Sequence, residues 1–243
     1  MQDVAVCIPA KDEADRIAAT VKAAQELPGA DLVVVIDDGS SDGTARVARE
    51  AGARVVRHSR NRGKGAAMES GAEAVRLLDE GRDRPRHLLF LDADLAETAR
   101  DAAPLVEPVR AGEADMTIAV FSTTVKLGGH GFVVGLSRDG IRRATGWEAT
   151  APLNGQRCLT RAAFDAALPL AAGFGVETAL TIDLLRAGFR VTEVEVPLAH
   201  RATGTDWRSQ LHRARQFRDV ARALAVREPA VARGLDRLRG SRQ

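Results

Sequence analysis

The sequence predicts an α/β fold: a mostly parallel sheet flanked by helices, followed by C-terminal amphipathic helices. Three observations predict it. Short β-branched runs alternate with helix-period stretches over the first 120 residues. The runs are apolar at successive positions, as strands buried on both faces of a parallel sheet must be. Polar residues collect just after the runs, where an open α/β sheet binds its ligands.

The elements follow in order. Val4-Ala5-Val6-Cys7-Ile8 is a strand ending at Pro9, and Ile17, Val21 and Ala24 then recur at helical spacing with Asp12 as the expected cap and Gly29 as the stop. Leu32 to Ile36 is the second strand, and a helix capped by Asp42 runs to about Gly52. Arg54-Val55-Val56-Arg57 is the third strand, Lys64 to Glu80 a long helix stopped by Gly81, and His87 to Leu91 the fourth strand. Met116 to Val120 is the fifth, after an intervening helix. Repeated βα units of this length predict parallel strands joined by right-handed crossovers. Residues 122–155 are Gly-rich and read as a mobile loop, then a helix through Ile141 to Ala144. Strand Arg157 to Thr160, helix Val176 to Ala187 and strand Arg190 to Val196 come next. Asp206 to Val226 sets Leu211, Phe217, Val220 and Leu224 among arginines as an amphipathic helix, with a second short helix expected after Pro229.

Composition narrows the function classes. With 45% hydrophobic and 28% charged residues the chain is globular. Its apolar runs fall far short of the ~20 residues that span a bilayer, and the N-terminus lacks a secretory signal pattern. Cys7 and Cys158 are the two cysteines, and Cys7 inside a strand predicts a reduced, buried thiol. The expected location is cytoplasmic, with peripheral contact at the inner face of the membrane as the variant. The net charge of +2 is unevenly spread: residues 206–243 hold ten Arg against four acidic residues, leaving 25 basic and 29 acidic before them. A basic tail on a mildly acidic body suits phosphate groups or an anionic membrane face as well as a solvated helix. The acidic body disfavours a nucleic-acid groove.

Four polar clusters close consecutive βα units: Pro9-Ala10-Lys11-Asp12-Glu13, Asp37 to Thr44, Asn61-Arg62-Gly63-Lys64-Gly65 and Asp92-Ala93-Asp94. The first lacks a dinucleotide glycine fingerprint, and the third lacks Walker spacing. A nucleotide-sugar requires its diphosphate charge to be neutralised, which a hard divalent cation on carboxylates does. Asp94 can hold such an ion (Mg²⁺ or Mn²⁺), while Asp92 accepts from the ribose or helps place the metal. Lys64 opens a helix beside the phosphates. Glu13 and Asp38 can accept from base and ribose.

These four segments together resemble the family 2 glycosyltransferases of GT-A fold, a Rossmann-like nucleotide-sugar-binding architecture. The resemblance implies nucleoside-diphosphate recognition by Glu13, Asp38 and Lys64, with Pro9, Ala10, Gly63, Asp92 and Ala93 around the donor and Asp94 on the metal. Ala151 to Gln156, Gly173-Phe174-Gly175-Val176-Glu177 and Val196 to Arg201 are similar to the glucosyl-3-phosphoglycerate synthase group. That similarity implies an acceptor loop at Asn154 and Gly155, Glu177 near the reacting centre, and His200 as a metal ligand. Glu177 near a helix N-terminus would also be stabilised by roughly 0.3–1 kcal/mol with no further role.

The expected division is 1–205 as the glycosyltransferase domain (1–120 nucleotide-sugar half, 121–205 acceptor half) and 206–243 as a basic helical extension. The expected reaction moves a UDP- or GDP-linked hexose to a small phosphorylated or hydroxyl acceptor gripped by Arg157, Arg201 and the Asn154 loop. Glu177 serves as base for inversion, or orients the acceptor for retention; the sequence leaves both open. A polyprenyl phosphate acceptor met through the 206–226 helix is the alternative, and a sugar-phosphate nucleotidyltransferase the distant one. The sequence is compatible with a homodimer.

Overall fold

The computed structural model describes residues 3–121, 131–197 and 207–227, the last with backbone alone over 207–214. Seven strands form one sheet: β1 (Val4–Ala10), β2 (Ala30–Asp37), β3 (Arg54–Arg57), β4 (His87–Phe90), β5 (Met116–Phe121), β6 (Arg157–Leu159) and β7 (Val191–Val196). Their order is β3-β2-β1-β4-β6-β5-β7. The helices are α1 (Ile17–Gln25), α2 (Thr44–Glu50), α3 (Lys64–Leu78), α4 (Glu107–Arg110), α5 (Gly131–Thr145), α6 (Arg161–Ala166), α7 (Val176–Arg186) and α8 (Trp207–Arg227), with a 3-10 segment over Ala96–Leu105.

Alternation along the strands builds two cores. Val4, Val6, Ile8, Val33 and Val35 pack with Ile17 and Val21 of α1 and with Ala99, Ala102 and Leu105. Ala5, Cys7, Val34 and Ile36 face the opposite way, onto Met68 and Val75 of α3, Phe164 of α6 and Val176 and Leu180 of α7. Both cysteines are buried and free, and burial pushes each thiol up to about 12. Trp147 is half-buried and packs against apolar side chains of the sheet and of α5 and α7.

The fold class is as expected, a mostly parallel sheet flanked by helices. β1, β2, β3 and β4 are parallel, as are β5 and β7, but β6 runs antiparallel to both β4 and β5. The sheet reverses its winding between β1 and β4, so a crevice opens at their carboxyl ends. The antiparallel strand brings its own start to that same edge: Phe90 at the end of β4 pairs with Arg157 at the beginning of β6. The segment before Arg157 therefore overhangs the residues after Phe90.

Three local expectations change. Asp12 does not cap α1, which begins at Ile17 behind Arg16; its carboxylate instead accepts from the Ser41 backbone N–H at 2.7 Å. Asp42 does serve α2, accepting from the Thr44 N–H at 2.9 Å, although Gly43 holds the cap position. The expected short helix near Ile141 is the longer α5. The mobile loop expected around 122–130 and the helix after Pro229 lie outside the described residues.

The C-terminal helix is packed into the body over its described side chains. Val220, Ala223 and Leu224 are buried, and Val220 and Leu224 join Val133, Ile141 and Ile182 in a third cluster. A boundary at 205 thus does not detach α8 from the domain. Among the described residues, no helix is long and apolar enough to cross a membrane.

Candidate active site

The loops at the carboxyl edge are laced together by their own polar groups. The backbone N–H of Asp12 donates to Ser40 Oγ, that of Glu13 to Thr44 Oγ1, and that of Ala14 to Asp42, at 2.9, 2.9 and 3.1 Å. Donation from Ser41 and Lys11 holds the Asp12 carboxyl below its ordinary value. Two consecutive strand ends are thereby fixed as one platform.

Asp38 is almost wholly buried and organises the next loop. One carboxylate oxygen meets His58 Nδ1 and the Arg62 N–H, each at 2.7 Å, and the other takes the Gly63 N–H at 2.8 Å. His58 Nε2 lies 2.9 Å from Ser70 Oγ on α3. His58 was not singled out in the sequence; its place just after β3 is the only signal it offers. Asp38 thus sets the turn that presents Lys64 at the start of α3.

Lys64 is the hub. Its Nζ lies 2.8 Å from Asp92 Oδ1 and 2.9 Å from Glu177 Oε1. Burial pulls its pKa down, but Asp92 and then Glu177 outweigh that, leaving it well above the ordinary lysine value. The second Asp92 oxygen accepts from Gln156 Nε2 at 2.7 Å, and Gln156 is fully buried. Gly155 rests on this pair: a methyl in its place would sit 2.3 Å from Lys64 Nζ and 2.9 Å from Asp92 Oδ1.

Arg157 corrects an expectation. It is wholly buried, and its guanidinium donates to the carbonyls of Asn154, Glu177 and Pro152 and to Thr181 Oγ1, at 2.8, 3.0, 3.1 and 2.9 Å. Burial lowers its pKa to about 10, against Glu177 and Glu193. Four of its five N–H groups are spent on these oxygens within the interior. It ties the 152–154 loop to the first turn of α7, where Glu177 sits.

A cavity of about 490 Å³ opens over these groups and is lined by Pro9, Ala10, Asp38, Gly63, Lys64 and Asp92 from the expected set. Lys11, Asn61, Ala67, Gly173, Phe174 and Arg215 line it as well; the sequence gives none of them a role, although Lys11, Asn61, Gly173 and Phe174 stand within its motifs. Glu13, Asp94, Asn154 and Glu177 fall outside that lining. Ala93 is buried, and its carbonyl accepts from Thr20 Oγ1 at 2.8 Å. Asp94 is half-buried, with its carbonyl accepting from Arg16 at 3.3 Å. His200 and Arg201 lie outside the described residues. A further cavity of about 540 Å³ between α3 and α6 shares none of these residues.

No cluster of three metal-ligating side chains occurs among the described residues. That does not conflict with a divalent ion held mainly by substrate phosphates and one or two carboxylates. Of the Asp92 and Asp94 pair, Asp92 has one oxygen on Lys64 and the other on Gln156, and Asp94 is half-buried beside it.

Known proteins resemble this chain in sequence and in fold. The profile of glycosyl transferase family 2 matches residues 5–146. Glycosyltransferase AglJ of Haloferax volcanii is 33% identical over 211 residues, covering 83% of this chain and 65% of its own. Succinoglycan biosynthesis protein ExoU of Rhizobium meliloti is 37% identical over 155 residues, covering 58% and 45%. The chain thus spans less than two thirds of the length of these relatives. Among solved structures, glucosyl-3-phosphoglycerate synthase of Mycobacterium tuberculosis with Mn²⁺, uridine diphosphate and phosphoglyceric acid superposes with a TM-score of 0.73 at 26% identity, covering 93% of this chain and 78% of that one. The same synthase with Mg²⁺ and uridine diphosphate gives 0.72 at 26%, covering 93% and 79%.

Proposed function

The chain belongs to glycosyl transferase family 2, and from that premise we propose that it moves a hexose from a UDP- or GDP-linked donor to a small phosphorylated or hydroxyl acceptor, with a divalent metal. The observation that carries the reading is Lys64 held between Asp92 and Glu177 under Gly155, at the mouth of the crevice between β1 and β4.

The parts take the following roles. Pro9, Ala10 and Asp38 bound the nucleoside end of the cavity, with Glu13 on the loop beyond. Lys64, charged at neutral pH, and the first turn of α3 face the diphosphate; unpaired N–H groups there favour anions. Asp94, with His200, would hold Mg²⁺ or Mn²⁺, which when bound neutralises the departing diphosphate. Asp92, steadied by Gln156, accepts from the ribose. Preorganised charge of this kind acts on the leaving group without reorganisation cost.

Glu177 stands across Lys64 from Asp92. It serves as the base that takes an acceptor proton in an inverting transfer, or orients the acceptor in a retaining one. Asn154 and Gly155 face the acceptor, with Arg157 positioning their loop from beneath and Arg201 as a further cation. The neighbouring synthase structures with phosphoglyceric acid support a small phosphorylated acceptor.

One observation favours a lipid phosphate as the second reading. Phe132 and Phe217 stack with ring centroids 5.5 Å apart while remaining exposed. Such a pair, Phe132 from α5 and Phe217 from the arginine-rich α8, suits a membrane interface.

A panel assay for nucleoside-diphosphate release tests the main reading. UDP- and GDP-hexoses are offered with phosphoglyceric acid or a polyprenyl phosphate, with Mn²⁺ or Mg²⁺ present. Acceptor-stimulated release from one donor is expected; no release from any combination counts against it.

A further inference from the structure

The cavity has three cationic side chains in its lining: Lys11, Lys64 and Arg215. Two are already engaged. Lys11 donates to Asp12 at 3.0 Å and to the Gly39 carbonyl at 3.2 Å, and Lys64 is held between its two carboxylates. Arg215 is exposed and has no hydrogen-bond or ion-pair partner among the described residues.

Its placement is fixed by the next turn of its own helix. Asp219 lies four residues on, so both side chains leave α8 on one face. Asp219 accepts from the Phe174 N–H at 3.3 Å, and a methyl on Gly173 would sit 2.2 Å from an Asp219 oxygen. Gly173 also adopts φ +68°, which other residues rarely do. The helix thus docks on the turn before Glu177 and carries Arg215 over the cavity, while Val220 and Leu224 anchor its other face.

We infer that Arg215 is a substrate ligand, taking the phosphate oxygens of a group bound beside Lys64. A planar guanidinium over a cleft, unengaged among the described residues, suits bidentate contact with such oxygens. The phosphate belongs either to the donor diphosphate or to the acceptor, and the C-terminal helix becomes part of the active site. The inference rests on the glycosyltransferase reading of the cavity.

Calorimetric titration of the full chain with UDP, with GDP, and with phosphoglyceric acid in the presence of saturating nucleotide tests it, with Mn²⁺ throughout. Arg215→Ala weakens one of these by about tenfold or more, as expected for loss of a charge-assisted bond, and Arg215→Lys recovers part of the loss. A change confined to nucleotide assigns the donor diphosphate; one confined to phosphoglyceric acid assigns the acceptor. The thermal midpoint stays put, and Arg222→Ala, at an exposed position of the same helix, leaves all titrations unchanged. Wild-type affinity for nucleotide retained in full by Arg215→Ala, with phosphoglyceric acid titrations equal too, overturns the inference. Wild-type failure to bind either nucleotide instead overturns the glycosyltransferase reading on which it rests.

Discussion

Lys64 and Gly155 stand in a relationship that neither residue reveals alone: a single methyl on Gly155 would lie 2.3 Å from Lys64 Nζ. The absence of a side chain at 155 lets the ammonium reach Asp92 and Glu177 together, at 2.8 and 2.9 Å. Gly155→Ala is expected to push the flexible end of Lys64 aside with little change in thermal midpoint. Donor turnover falls by about tenfold or more, the cost of displacing a charge from its preorganised position. Steady-state kinetics beside a melting curve read both effects.

Lys64→Ala removes the cation itself. The expected loss in turnover is about 10²–10³-fold, the range for deleting one preorganised electrostatic group. Lys64→Arg keeps the charge but not the compact shape that fits between two carboxylates, and stays well below wild type. Nucleoside-diphosphate release at saturating donor measures both variants.

Arg157 is expected to matter for stability. Arg157→Ala strands the carbonyl of buried Pro152 and takes a donor from those of Asn154 and Glu177, the last of which still accepts from Thr181 Oγ1; a buried group left unpaired costs about 1–3 kcal/mol. Chemical denaturation should therefore show a loss of about 1–3 kcal/mol. An unchanged denaturation midpoint with a raised acceptor KM would instead return Arg157 to acceptor binding.

Away from the site, Arg190 holds Asp115 by donation from its side chain and its backbone N–H, keeping the carboxyl below its ordinary 3.8. A carboxyl depressed on folding contributes stability above its unfolded pKa and loses it as pH falls through the folded value. Asp115→Asn should be less stable than wild type at pH 7 by about 1 kcal/mol or less, given the half-exposed arginine. The difference should close as pH drops below 3.8, as thermal melts across pH would show.

Much of the site was legible because it lies on parallel strands. Residues at the carboxyl ends of β1, β2 and β4 must share one edge of the sheet, so order alone brings Pro9, Asp38 and Asp92 to one cavity. The direction of β6 was not legible. Arg157-Cys158-Leu159 reads the same either way, and only the antiparallel pairing of Phe90 with Arg157 brings Gly155 and Gln156 over Asp92. Arg157 was hidden for a related reason: an arginine beside a Gly-rich segment reads as a surface cation, while the carbonyls it serves come from its own loop and from α7. Asp12 resembled a cap by spacing, yet Ser41 competed for its carboxylate across the neighbouring loop. Arg215 was visible only as one charge in a basic helix, until Asp219 fixed which face meets the cavity.

The most direct measurement is nucleoside-diphosphate release by wild type and Asp94→Ala, each with Mn²⁺ or Mg²⁺ and with a chelator. Metal-stimulated release by wild type, lost in the chelator and reduced by about 10²-fold or more in the variant, is the predicted result. Full activity in the chelator, or in Asp94→Ala, would contradict it.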